Sequence, residues 1–263
     1  MESGLTKIEE LMQVDVATLS GLGWRMSKAS ILKSILIFVS FFTTALTVNR
    51  LAAQLDPATI RFMGDILVGT EFGTDSDDRV CVRWETAPRL STFGSASHHP
   101  AIVRKTVAQI NACLPSNRQV EILQPNDETA TIKVHFEPLN EFARFAAKHN
   151  AQVDSSNWGM FFLRWNRLYE IETATVLIAS DKLSGRRLQH FILEEITQSL
   201  GLGGDSGEFK QSVFYENVEN REYGTALEFT DLDRRAIRFL YERVPPGTGP
   251  VQLGVLLERH WRP

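Results

Sequence analysis

Leu188–Asp205, LQHFILEEITQSLGLGGD, decides the fold. Advancing about 100° per residue, as an α-helix does, sets Arg187, His190, Glu194, Gln198 and Gly201 along one line. Leu188, Ile192, Leu193, Ile196 and Leu200 fill the opposite arc, and Glu195 falls at the edge between the two. This spacing predicts an amphipathic helix with its apolar side on a sheet and its polar line facing outward. Gly201 is the expected stop, because the left-handed conformation that closes many helices is cheap only for glycine. An acidic loop containing Asp205 follows.

Upstream, Ala174–Ser180 (ATVLIAS) is a nearly continuous apolar run suited to a sheet interior, and Asp181–Arg187 is the loop into the helix. Val80–Trp84 alternates β-branched and aromatic residues and reads as a strand, followed by a loop over Ser91–Pro100. Ala101–Leu114 carries apolar residues at helical spacing. Gln119–Leu123 and Thr129–Glu137 read as strands on either side of a turn at Pro125-Asn126-Asp127. In the second of them His135 falls with Lys133 on the polar side, as a solvated histidine; His98-His99 reads as a solvated loop pair. Leu139–His149 reads as a short helix, and Trp158, Phe161, Phe162 and Trp165 as core or sheet-edge packing. Strands and helices in this order predict an α+β layer architecture with helices packed on one sheet.

Glu194-Glu195-x-x-Gln198-x-x-Gly201 occupies the positions of His-Glu-x-x-His-x-x-Gly in the metzincin zinc peptidases, and resembles the matrixin type in particular. In that motif two helical histidines bind zinc and the glutamate between them is the general base. A third histidine returns from the following turn, at the position of Gly204, next to Asp205. Ser212-Val213-Phe214-Tyr215 is similar to the S-x-M-Y segment after the zinc helix, with Phe214 in place of the Met-turn methionine. Leu227–Asp233 and Ile237–Tyr241, with Asp233 as the acid, resemble the final matrixin helix. More closely, the chain resembles a family of bacterial exported proteins of unknown function marked by E-E-x-x-Q-x-L-G-L, then Asp, S-x-F and L-x-x-x-D-x-x-x-I-x-x-L-Y. The resemblance spans roughly residues 60–247. It implies a zincin-like mixed sheet with an active-site-type helix and a C-terminal helix, and an export signal, with no known activity.

The three missing histidines disfavour zinc, which prefers imidazole and thiolate. Oxygen donors suit Ca²⁺, Mg²⁺ or Mn²⁺, so one reading places a hard cation at Glu194, Gln198 and Asp205, or with His190, and makes Glu195 the general base of a hydrolase acting on peptide or cell-wall material. A second reading is a pseudoenzyme: Glu194 and Glu195 pair with Arg186 or Arg187, Gln198 hydrogen-bonds the loop 203–210, and Asp205 fixes the turn. A third is metal-free acid–base chemistry between Glu194 and Glu195, weakened because neighbours on a helix point about 100° apart. The pseudoenzyme reading makes the chain an exported cell-envelope protein with a binding or assembly role toward a protein or peptide partner.

At 263 residues, 43% hydrophobic and net −4, the chain shows no repeat, no disordered composition and no basic footprint for nucleic acid. Residues 26–53 read as a signal peptide: Lys28 and Lys33 precede the apolar run Ile35–Leu46, and Leu-Ala-Ala before Gln54 offers a cleavage point. Cleavage sends the protein to the periplasm or outside the cell; retention anchors it in the inner membrane, its only expected membrane link. Residues 1–25 are a mis-annotated extension or a long n-region ahead of Met26, residues 54–247 the domain, and 248–263 a C-terminal arm. Cys81 and Cys113 form a disulfide in an oxidising compartment or act as two small buried hydrophobes.

Overall fold

The computed structural model describes residues 55–69, 79–94, 98–149, 151–153, 156–217 and 222–261. The extension 1–25 and the signal segment 26–53 lie outside the described residues. In chain order the elements are α1 (Pro57–Val68), β1 (Arg89–Phe93), α2 (Pro100–Asn111), β2 (Glu121–Ile122), β3 (Ile132–Glu137), α3 (Phe142–Ala146), β4 (Gly159–Trp165), β5 (Ile171–Ala179), α4 (Gly185–Gln198), β6 (Glu216–Asn217), β7 (Glu222–Tyr223), α5 (Asp231–Arg243) and α6 (Pro250–His260). Among the described residues no helix is long and apolar enough to cross a membrane.

The main sheet runs in the order β2-β1-β3-β5-β4, parallel throughout except for the edge strand β4, which is antiparallel to β5. Successive side chains on a strand point to opposite faces, and β5 uses both. Ala174, Val176 and Ile178 join the main core with Ile132, Val134 and Phe136 of β3, while Leu177 and Ala179 join a smaller cluster with Phe142, Phe145 and Ala146 of α3. Burial on both faces explains the unbroken apolar run read from the sequence. The main core also takes Phe62, Met63 and Ile66 from α1, Ile192, Leu193 and Ile196 from α4, and Ile237 and Leu240 from α5. The mixed sheet, the helix carrying the E-E-x-x-Q motif and the helix near the C-terminus are as expected.

Two expectations, the strand at Val80–Trp84 and the solvated His135, are corrected. Val80–Trp84 is an extended strap outside the sheet: Cys81 N donates to Thr248 O at 2.9 Å and Ile171 N to Arg83 O at 2.8 Å. Its alternation serves to bury Val82 and Trp84, and the sheet strand is Arg89–Phe93, which overlaps the start of the stretch read as a loop. The aromatic stretch forms the edge strand β4, with Phe161 and Phe162 buried, in keeping with core or sheet-edge packing. His135 is no solvated strand histidine; it lies 5.1 Å from the Phe93 ring and 4.6 Å from the Phe145 ring, centroid to centroid. Burial, and then the neighbouring Lys133, push its pKa down to about 4. The C-terminal arm packs on the domain as expected, as the helix α6 followed by Trp261, with Leu253, Leu257 and Trp261 in the main core. Of the two readings for Cys81 and Cys113 the structure takes the second: both thiols are free and buried. Burial pushes the Cys81 thiol up to about 12, so it stays protonated and unreactive.

Candidate functional site

α4 ends by design. Gly201 adopts φ +100°, and a Cβ there would stand 2.0 Å from the Val82 carbonyl oxygen, so both conformation and space require glycine. The last carbonyls are capped by side chains: Trp84 Nε1 donates to Ser199 O at 3.0 Å and the Tyr241 hydroxyl to Leu200 O at 2.9 Å. The chain then passes under α1, where Ser206 Oγ donates to Asp65 Oδ2 at 2.7 Å. A Cβ at Gly204 would lie 2.0 Å from the Asp65 carbonyl oxygen.

The S-x-F segment is tied to α5 through one buried acid. Ser212 Oγ donates to Asp233 Oδ1 at 2.6 Å, and Asp233 closes a capping box with Thr230 at the start of α5. Phe214, at the position of the Met-turn methionine, is fully buried beside Phe62, their centroids 6.2 Å apart. Ser212, Phe214 and Asp233 thus hold the floor of the site and do not face its cavity.

Beyond Arg187, which is exposed, the polar line of α4 does not face solvent. His190, Glu194, Glu195 and Gln198 are all buried, because the strands β6 and β7 and the 203–206 turn close over them. Glu194, Glu195, Gln198 and Asp205 line one cavity of about 180 Å³ together with Glu216, Tyr215, Trp158, Phe191 and Tyr223, and among the described residues no Lys, Arg or His lines it. Gly159 on the edge strand makes room for Glu195: a Cβ there would stand 2.1 Å from Glu195 Oε1. Gln198 donates its amide nitrogen to Asp205 Oδ1 at 2.8 Å, a bond to the 203–210 loop of the kind expected. Among the described residues its carbonyl oxygen has no hydrogen-bond partner, although Gln198 is only 2% exposed. The orientation of the amide follows from Asp205, which can only accept when ionised.

The ion pairs expected from Glu194 to Arg186 or Arg187 are replaced by a pair within α4. His190 Nε2 stands 3.3 Å from Glu194 Oε2, and His190 Nδ1 is 2.8 Å from the Ala226 carbonyl oxygen. A carbonyl can only accept, so Nδ1 carries a proton, while Nε2 stands within ion-pair reach of the carboxylate without forming a hydrogen bond to it. Burial works against the imidazolium, yet the Glu194 carboxylate outweighs it and the His190 pKa rises. Burial raises the Glu194 pKa as well. A buried pair that holds one proton is neutral overall, which is how a carboxylate is kept at 8% exposure.

Zinc of the peptidase kind does not fit this donor set. Gln198 turns an N–H toward Asp205, and position 204 has no room for a side chain. Among the described residues no three His, Cys, Asp or Glu side chains are grouped so as to hold a metal ion. Sequence reading found Glu194, Glu195, Gln198 and Asp205 but missed Glu216, Tyr215, Tyr223 and Gly159. Only Gly159, a lone glycine before an aromatic run, left a local signal.

The family model described as protein of unknown function (DUF2927) matches residues 59–258. No match to a curated protein was found. Two solved structures of myroilysin are similar at low level: one at TM-score 0.39 and 10% identity, covering 73% of this chain and 88% of that chain; the other at TM-score 0.34 and 12% identity, covering 72% and 98%.

Proposed function

The chain belongs to the DUF2927 family of proteins of unknown function, and from that premise we propose that it is a binding protein of the cell envelope whose α4 cavity receives a cationic, hydrogen-bond-donating group rather than a scissile bond. One observation carries this reading. Among the described residues the Gln198 carbonyl oxygen is a buried acceptor without a donor, in a cavity whose ionisable walls are the carboxylates Glu194, Glu195, Asp205 and Glu216 and the phenols Tyr215 and Tyr223. An ammonium or guanidinium supplies several donors and a positive charge at once. Trp158, Phe191 and Tyr223 add π faces suited to a cation. The role is that of a pseudoenzyme, in the periplasm or outside the cell, toward a protein or peptide partner.

Titration of the full chain with n-butylammonium, n-butylguanidinium and neutral butanol tests it. The two cations bind, high salt weakens them, and Glu194→Gln together with Gln198→Leu abolishes binding; equal binding of butanol would sink the reading. The second reading is a hydrolase with Glu195 as general base and Ca²⁺, Mg²⁺ or Mn²⁺ at Glu194, Gln198 and Asp205, favoured by the convergence of these four residues on one cavity. Elemental analysis of the purified chain separates the two. A stoichiometric hard metal that disappears in Glu194→Ala, with hydrolysis lost in Glu195→Gln, replaces the binding role by the catalytic one.

A further inference from the structure

The carboxylates that line the acidic cavity are not equally matched. Glu194 has its partner inside α4, with His190 Nε2 at 3.3 Å. Glu216 comes from β6, on the wall that covers α4. That wall is fixed by Glu216 N donating to Ser206 O at 3.3 Å and by the pairing of Glu216 with Tyr223 of β7. The Glu216 side chain is half-buried, and among the described residues it makes no ion pair. Lys210, the base on this side, is already taken: its Nζ donates to Glu222 Oε2 at 2.8 Å, and the Tyr215 hydroxyl donates to the same oxygen at 2.8 Å. The charge of Glu216 falls instead on Glu194, whose pKa is pushed up by burial and then by Glu216.

A single cation at Gln198 leaves that carboxylate unanswered. Gln198 Oε1 belongs to α4 and Glu216 to the strand that covers it, so the cavity presents two separate acceptors on two elements. With no Lys, Arg or His among the described lining residues, the balancing charge has to come from the ligand. The cavity, at about 180 Å³, is smaller than the roughly 300–1,000 Å³ of sites for drug-sized ligands. Its occupant is therefore a short chain or the tip of a larger molecule.

We propose that the cavity takes a short aliphatic diammonium, one nitrogen donating to Gln198 Oε1 beside Asp205 and the other pairing with Glu216. Trp158, Phe191 and Tyr223 line the same space and offer apolar faces to the methylenes. The proposal rests on the cation reading of the cavity and adds a second positive charge to the ligand. A free diamine supplies this chemistry, and so does the N-terminal lysine of a peptide, which carries two ammonium groups on one short chain.

Calorimetry on the full chain tests it with n-butylammonium, α,ω-diaminoalkanes of three to six carbons, and the mono-N-acetyl derivative of each diamine. In the wild type the best diamine binds at least about tenfold more tightly than its own N-acetyl derivative, the worth of one charge-assisted contact. Glu216→Gln keeps the size of the side chain and the backbone pairing of β6, and brings that ratio to about one. The tripeptide Lys-Gly-Gly and its Nα-acetyl form separate the two sources. Tighter binding of the tripeptide than of any diamine, lost on acetylation, assigns the ligand to a peptide N-terminus; the reverse order assigns it to a free diamine. If every diamine and its N-acetyl derivative bind the wild type equally, the second charge is overturned and the cation pocket stands. A diamine preference that survives Glu216→Gln overturns Glu216 as the seat of the second nitrogen. If neither n-butylammonium nor any diamine binds, both readings fall.

Discussion

Gln198 gives its amide hydrogen to Asp205 across 2.8 Å and keeps its carbonyl oxygen inside the cavity with no donor to meet it. The side chain is therefore half structural and half unsatisfied. A glutamine serves both demands because its two ends differ; an ionised carboxylate at this position has no donor for Asp205.

Gln198→Glu puts a second carboxylate beside Asp205 with no donor between them. The new acid is harder to ionise in the folded chain than in the unfolded one, so its contribution favours folding at low pH and is lost as pH rises. Urea denaturation should show a loss of about 1–3 kcal/mol at neutral pH and recovery near pH 4.5, the ordinary value for a glutamate side chain.

The His190–Glu194 pair gives the native state a proton that the unfolded chain holds less tightly, since both pKa values are raised. Its stabilisation is complete below the ordinary carboxylate value of 4.5, persists while the pair keeps its proton, and is lost as pH climbs past the ordinary imidazole value of 6.5 through the raised folded value. The stability of the wild type should therefore fall more steeply from pH 6 to 9 than that of His190→Gln. Parallel slopes in the two proteins would refute the raised His190 pKa.

His135 works in the opposite direction. Its pKa is lowered to about 4, so its contribution is present above 6.5 and is lost as pH falls toward 4. His135→Phe keeps the stack on Phe93 and Phe145 and removes the titration. With solvent screening over part of the ring, the variant should resist acid better by about 1–2 kcal/mol at pH 4, read as the difference in urea midpoints between pH 7 and pH 4.

Glycines separate by what surrounds them. Gly201→Ala meets the Val82 carbonyl at a positive φ and should cost about 2–4 kcal/mol. Gly64 in α1 and Gly254 in α6 have nothing within 4 Å of an added Cβ, and alanine at either should stabilise by about 0.5–1 kcal/mol through helix propensity. Thermal melts of the three variants decide it.

The helix α4 and its stop were legible because a 3.6-residue period and a lone glycine act locally. The inward orientation of its polar line was not, since the cover comes from β6 and β7, each two residues long and too short for any periodic signal. β4 escaped for a related reason: Gly159–Phe162 are buried in succession, which removes the alternation that marks a strand with one wet face. Val80–Trp84 misled because it alternates like a strand while its partners are the 247–248 turn and the 169–171 segment. The four candidate residues of the site could be read from a known motif; Glu216 and Tyr223 could not, because only the fold brings them near α4.

The seat of Gly204 against the Asp65 carbonyl reaches further than one turn. In the matrixin motif this position returns the third imidazole, and here a backbone oxygen of α1 occupies the volume that side chain would need. Writing histidines into 194 and 198 therefore yields a two-armed clamp, and a third arm must come from Asp205 or Glu216, on the cavity wall. Anyone rebuilding a metal centre in this scaffold has to recut the C-terminal turn of α1 before touching the motif helix.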